Sequence, residues 1–173
     1  MKILKYTLVS IFALTLVFSC ASVQVKTDYD TQTDFSKYKT FAFYKKGIAQ
    51  SKISDLDKRR ILRAIEKELI AKGMTKSENP DLLVSIFAKA QKQVNVYNDP
   101  WYPYYYTPYY RNNTSNYVQG TLFIDLIDAK KKQLVWQGVG KGVLSTSSKP
   151  EKKEARIQEI VAEILAQYPP KKE

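Results

Sequence analysis

The chain has 173 residues, a net charge of +11, one cysteine and no histidine. Without histidine or a second thiol, Ser-His-Asp and Cys-His catalysis, His-ligated zinc and an internal disulfide are all excluded, and any chemistry falls to carboxylate, lysine or tyrosine side chains. The length suits one domain with a sizeable core.

Lys2 and Lys5 form a basic n-region, and Tyr6 through Phe18 an apolar h-region that is too short to span a bilayer. Val17-Phe18-Ser19-Cys20 then reads as a lipobox, with Ser19 before the cut and the Cys20 thiol as acceptor for a diacylglyceryl group. The alternative is an ordinary signal peptide followed by a chance cysteine. Several acyl chains anchor stably where one is marginal, because each buried CH₂ contributes about 0.8 kcal/mol. Removing residues 1–19 leaves a single domain of 154 residues, Cys20 to Glu173, with a net charge of +9. For an exported, tethered chain, such a surface fits anionic lipid head groups or acidic polymers, not nucleic acid. Ala21 is not the aspartate that retains lipoproteins in the inner membrane, and no acidic cluster follows Cys20. The expected place is the periplasmic face of the outer membrane.

Residues 21–31 alternate at Val23, Val25 and Tyr29, a tether followed by a strand. Residues 34–38 make a turn, residues 40–44 an aromatic strand and residues 47–52 a loop. Ser54 opens a helix, with Asp57 approximating a capping box, Leu62, Ile65 and Leu69 on one face, and Gly73 placed for a left-handed cap. Asn79-Pro80-Asp81 turns into a long strand from Leu82 to Tyr97, with Leu82, Val84, Ile86 and Ala88 on the core side. A second long strand covers residues 117–127, and a hairpin at residues 128–132 leads into a third over residues 133–144. There Leu134, Trp136, Gly138, Gly140 and Gly142 share a side, and the glycines admit a closely packed neighbour. Pro150 starts a second helix with a stripe of Ile157, Ile160, Val161, Ile164, Leu165 and Tyr168, and Pro169-Pro170 stop it. The expected fold is α+β, an antiparallel sheet of about five strands with both helices on one face.

Residues 98–116 hold one Trp and six Tyr among three prolines. They form an aromatic loop at a hairpin tip, where structureless loops of this length are often functional or disordered. Trp101, Tyr102, Tyr104, Tyr105, Tyr106, Tyr109, Tyr110 and Arg111 are the candidate binding residues. They suit sugar stacking, a lipid interface or a protein partner; the plain alternative is a low-complexity tip collapsed on itself. The only reasonable catalytic carboxylates, Asp125 and Asp128, are three apart in a strand and so point to opposite faces. Asp30 and Asp34 flank a turn, where aspartate commonly serves the backbone.

Several landmarks recur together: Asp28-Tyr29-Asp30, Asp34-Phe35-Ser36-Lys37-Tyr38-Lys39-Thr40-Phe41, Lys72-Gly73, Asn79-Pro80-Asp81-Leu82-Leu83-Val84, Gly120-Thr121-Leu122-Phe123-Ile124-Asp125, and Leu134-Val135-Trp136-Gln137-Gly138. In this set the chain resembles domain-of-unknown-function family 4136, bacterial envelope lipoproteins common in Bacteroidota and other Gram-negative bacteria. The resemblance implies an envelope lipoprotein with an α+β domain and brings no activity, cofactor or catalytic residue. The expected function is a non-catalytic binding or assembly-support module, tethered through Cys20 and contacting an envelope protein, glycan or anionic lipid. The alternative is a carboxylate hydrolase acting on envelope polymers. No cofactor and no metal are expected.

Overall fold

The computed structural model describes residues 23–96, 114–143 and 149–171. Its elements in order are β1 (Gln24–Tyr29), a 3-10 turn (Phe35–Lys37), β2 (Thr40–Phe43), α1 (Lys45–Ala49) and α2 (Asp55–Ala71), followed by β3 (Thr75–Lys76), β4 (Leu82–Val96), β5 (Thr114–Asp128), β6 (Gln133–Val143) and α3 (Pro150–Leu165). The strands form one six-stranded sheet in the order β1-β6-β5-β4-β2-β3.

The sheet is mixed, which corrects the antiparallel five-stranded expectation. β4, β5 and β6 form an antiparallel meander and β1 returns antiparallel to β6. β2, however, lies parallel to both β4 and β3. Parallel neighbours need a long crossover, and α1 and α2 supply it between β2 and β3. Asp81 fixes the start of the parallel pair. Its Oδ2 accepts from the N–H groups of Lys39 and Thr40, both at 3.0 Å, and from Thr40 Oγ1 at 2.8 Å.

α2 begins and ends as its termini dictate. Ser54 Oγ accepts from Asp57 N–H at 3.1 Å and donates to the Asp57 carboxylate at 2.8 Å. Gly73 has φ +84°; its N–H donates to Ile70 O, and Met74 N–H reaches back to Leu69 O. Met74 and Leu69, the apolar pair of this Schellman cap, are both buried.

α2 and α3 lie side by side on one face of the sheet, bridged on the outside by Arg63 and Glu154 at 3.4 Å. Between helices and sheet sit Ile65, Leu69, Val161, Ile164 and Leu165 against Phe41, Leu82, Val84, Ile124, Leu126 and Trp136, all fully enclosed. The glycines of β6 take the close neighbour expected of them: a Cβ at Gly140 would stand 2.6 Å from Ile164 Cδ1, and one at Gly138 would overlap Ile164 and Trp136.

Three further expectations are corrected. Residues 47–49 of the loop expected at 47–52 are helical, as part of α1: where β2 stops, this segment runs along the exposed edge of β4. Tyr44 N–H donates to Val84 O at 2.8 Å and Ala88 N–H to Ser51 Oγ at 3.2 Å, which satisfies an edge that would otherwise be open. β5 starts at Thr114, so residues 114–116 of the anticipated loop are strand. The β5–β6 ladder shifts register at Leu126/Ile127, pairing Leu126 with Trp136 and Ile127 with Leu134. The bulge buries Val135 beside Trp136 and leaves Leu134 51% exposed, so Leu134 and Trp136 do not share a side.

Candidate functional site

Pairing places several features at one end of the molecule. β1 begins at Gln24 opposite Lys141, which lies level with Thr121 and Lys89 across the sheet. The chain before β1 therefore emerges at that row. β6 stops at Val143 opposite Gln119, and β4 and β5 alone continue to the pair Val96–Thr114. This two-stranded ribbon carries the ladder about 23 Å past the Lys89 row, at about 3.3 Å per residue. The candidate residues Trp101, Tyr102, Tyr104, Tyr105, Tyr106, Tyr109, Tyr110 and Arg111, and the lipidation candidate Cys20, lie outside the described residues. The described elements that lead to them point the same way.

A cavity of about 180 Å³ opens at this end, between the N-terminal halves of α2 and α3 and the sheet beneath them. Its walls are Ile53, Ile61, Leu122, Ile157 and Ile160, and its floor is cut low by Ala88, Gly120 and Gly140. At its mouth stand the helix side chains Asp57, Lys153 and Arg156; Lys89 and Thr121 border it from ladder positions that alternate with Ala88 and Leu122, so their side chains face away from the helices. Asp57 is bonded to Arg60 at 2.7 Å, and Arg156 donates through Nε to Val143 O at 3.0 Å and stands 2.7 Å from Glu159. The sequence reading missed this cavity. The available signal was small residues at neighbouring ladder positions, Ala88 and Gly140 both opposite Leu122, and Gly120 opposite Gly142.

The carboxylates divide as their positions predict. Asp125 and Asp128 sit on opposite faces of β5, so they form no acid/base pair. Asp128 holds the β5–β6 hairpin: Oδ1 accepts from Lys130 N–H and Lys131 N–H, both at 2.8 Å, and Oδ2 from the Tyr38 hydroxyl at 3.0 Å. Burial works to raise its pKa, but these bonds outweigh it and keep the carboxyl below its ordinary value. Burial and the Asp128 carboxylate push Tyr38 up to about 12. Asp30 and Asp34 cap their turn, accepting from the N–H groups of Gln32 and Ser36. Asp125 stands apart: burial raises its pKa, and its one hydrogen bond among the described residues comes from Gln137 Nε2 at 2.7 Å. It lies on the sheet face away from α2 and α3, one pleat from the tilted ring pair Phe87 and Phe123, whose centroids are 5.9 Å apart. Among the described residues no cluster of three or more Cys, Asp or Glu side chains could hold a metal ion, and no helix is long and apolar enough to cross a membrane.

Comparison with known proteins places the fold. A search of curated proteins finds no match. Among solved structures, a PDZ domain protein from Parabacteroides distasonis superposes with a TM-score of 0.56 at 20% identity, covering 96% of this chain. The chain spans 40% of that protein's length. The PelC dodecamer from Paraburkholderia phytofirmans gives a TM-score of 0.53 at 13% identity, covering 84% of this chain and 96% of that one. At these identities the likeness is one of fold. The profile of the Domain of unknown function (DUF4136) matches residues 25–170, from β1 through the end of α3 and past it to Pro170. Asp81, Trp136 and Gly138, which are among the residues that carried the resemblance in sequence, thus hold the parallel pair and the helix–sheet contact, and the chain belongs to the DUF4136 family.

Proposed function

We propose that this chain is a non-catalytic lipoprotein of the bacterial envelope, acylated on Cys20 and held at the periplasmic face of the outer membrane. There it acts as a binding or assembly-support module whose contact surface is the aromatic segment 99–111. The observation that carries this reading is the shared direction of the two chain exits. The four residues from Cys20 to Gln24 span at most about 14 Å. The β4–β5 ribbon runs about 23 Å toward the same end, which brings the aromatic segment within reach of the surface that an acylated Cys20 would occupy. Trp and Tyr are the residues enriched at membrane interfaces, where an apolar ring and a polar tip are both satisfied. The non-catalytic part of the reading draws support from the aspartates. Asp30, Asp34, Asp81 and Asp128 are engaged with backbone N–H groups, and Asp125 has no second carboxylate on its face of β5.

Replacing residues 99–111 by a short Gly/Ser linker tests the contact surface. The ladder closes at Val96–Thr114 without them, so the melting temperature should stay within a few degrees of the parent. Crosslinking in intact envelopes should then lose the partners or lipids that the parent recovers. Identical crosslinks from both proteins would place the contact surface elsewhere, and unfolding would make the segment part of the core.

A further inference from the structure

We infer that the cavity between α2, α3 and the sheet is a binding site for a single-chain anionic amphiphile, taking the acyl chain inside and the acid group at its mouth. The inference does not depend on segment 99–111 being the contact surface. Four observations carry it. The walls are chiefly aliphatic, with no aromatic ring to stack on a sugar or a planar base. The space is sufficient: an apolar cavity on the order of 150 Å³ stays dry and takes up benzene, and this one measures about 180 Å³. It is also open at one side, so an acyl chain can enter while its acid group stays at the mouth.

Charge at that mouth selects the head group. Asp57, the one carboxylate there, is held by Arg60. Arg156 is fixed by Val143 O and Glu159. Lys153 has no carboxylate within ion-pair distance among the described residues. The balance left for a ligand is cationic. The position agrees with the chemistry, because the mouth opens at the row where the chain enters β1, the end that faces a membrane if Cys20 is acylated.

The test uses membrane-extracted protein in phosphatidylcholine nanodiscs and a dodecanoate carrying a terminal diazirine. Photolysis should give one adduct per chain, mapped to peptides containing Ile53, Leu122 or Ile157. Two plugs, Ala88→Leu and Ile157→Phe, should each cut labelling by about fivefold or more while the protein stays folded, either one sufficing if the other fails to fold. Lys153→Glu should lower dodecanoate labelling by about fivefold, the scale of one exposed charge interaction, and leave labelling by the matching dodecanol probe unchanged. Adducts confined to the outer surface, or labelling equal in a folded plugged variant, would overturn the site. Equal response of the acid and alcohol probes to Lys153→Glu would overturn the anionic head group.

Discussion

Trp136 is fully enclosed, yet its indole N–H finds no acceptor among the described residues. The ring is valued for shape, packing edge-on against Tyr168 with centroids 5.4 Å apart and lying over Gly138. Truncation to alanine should therefore cost about 3–5 kcal/mol. Phenylalanine keeps a ring and discards a buried donor that costs about 1–3 kcal/mol when unsatisfied, so Trp136→Phe should cost less than about 1.5 kcal/mol. Chemical denaturation of both variants checks this, and equal losses would mean that the N–H has a partner. Asp125 offers a second test at this scale. Its pKa is raised, chiefly by burial. The stability it contributes is therefore full below the unfolded value near 3.9 and is lost as pH rises through the folded value. Asp125→Asn keeps a carbonyl oxygen for Gln137 and removes the charge. Its melting temperature should exceed the parent's at pH 7 and converge with it toward pH 4. A variant less stable than the parent at pH 7 would show that the charge itself is wanted on that sheet face.

At the scale of elements, the β6–α3 contact sets how close helix and sheet can come. Gly140 stands where a methyl group would meet Ile164 and Ile160. Gly140→Ala should force α3 outward and cost about 1–3 kcal/mol by overpacking. Shortening Ile164 to Val in the same chain should recover part of the loss, which a double-mutant cycle would measure. These glycines were legible in the sequence because alternation exposes one bare side of a strand. The long strands and both long helices were legible for the same reason: their apolar periods persist for many residues, and Ser54, Gly73 and Pro150 mark helix ends. What escaped has no period. β3 is two residues held by backbone pairing. α1 is five residues whose helicity is useful only because the β4 edge beside it is unpaired. Strand direction leaves no trace in alternation, so the parallel β2–β4 pair read as antiparallel. One extra residue at Val135 reversed the apparent side of Leu134. The cavity was illegible because it is a gap between elements, defined by small side chains from three strands that lie far apart in the chain.

At the scale of the whole molecule, acid should weaken the fold at its loops first. Asp81 is held below its ordinary pKa, chiefly by the Lys39 N–H, and Asp128 by bonds that outweigh its burial. Groups with depressed folded pKa values stabilise above the unfolded value near 3.9, and that contribution is lost as pH falls through the folded values. Both aspartates sit at the end opposite the β4–β5 ribbon, so protection factors from hydrogen exchange, corrected for the intrinsic slowing in acid, should fall below pH 4 at residues 39–40 and 128–131 before they fall in α3. The proposed attachment belongs to the other end. Among the described residues no helix is long and apolar enough to cross a membrane. The proposed contacts are the Cys20 acyl group and segment 99–111. Diacylglyceryl transfer needs a thiolate, so Cys20→Ser should take no label from a fatty-acid analogue fed to cells. It should appear either free of the membrane or as the heavier, uncleaved precursor, which intact mass distinguishes. Adding the 99–111 replacement to Cys20→Ser should move any remaining cleaved, membrane-bound fraction into the soluble pool, because the aromatic segment is then the only interfacial contact left to lose. Fatty-acid label persisting on Cys20→Ser would overturn acylation at that residue. Cleaved protein that stays on the membrane without the cysteine or the aromatic segment would show that a surface of the folded domain binds it directly.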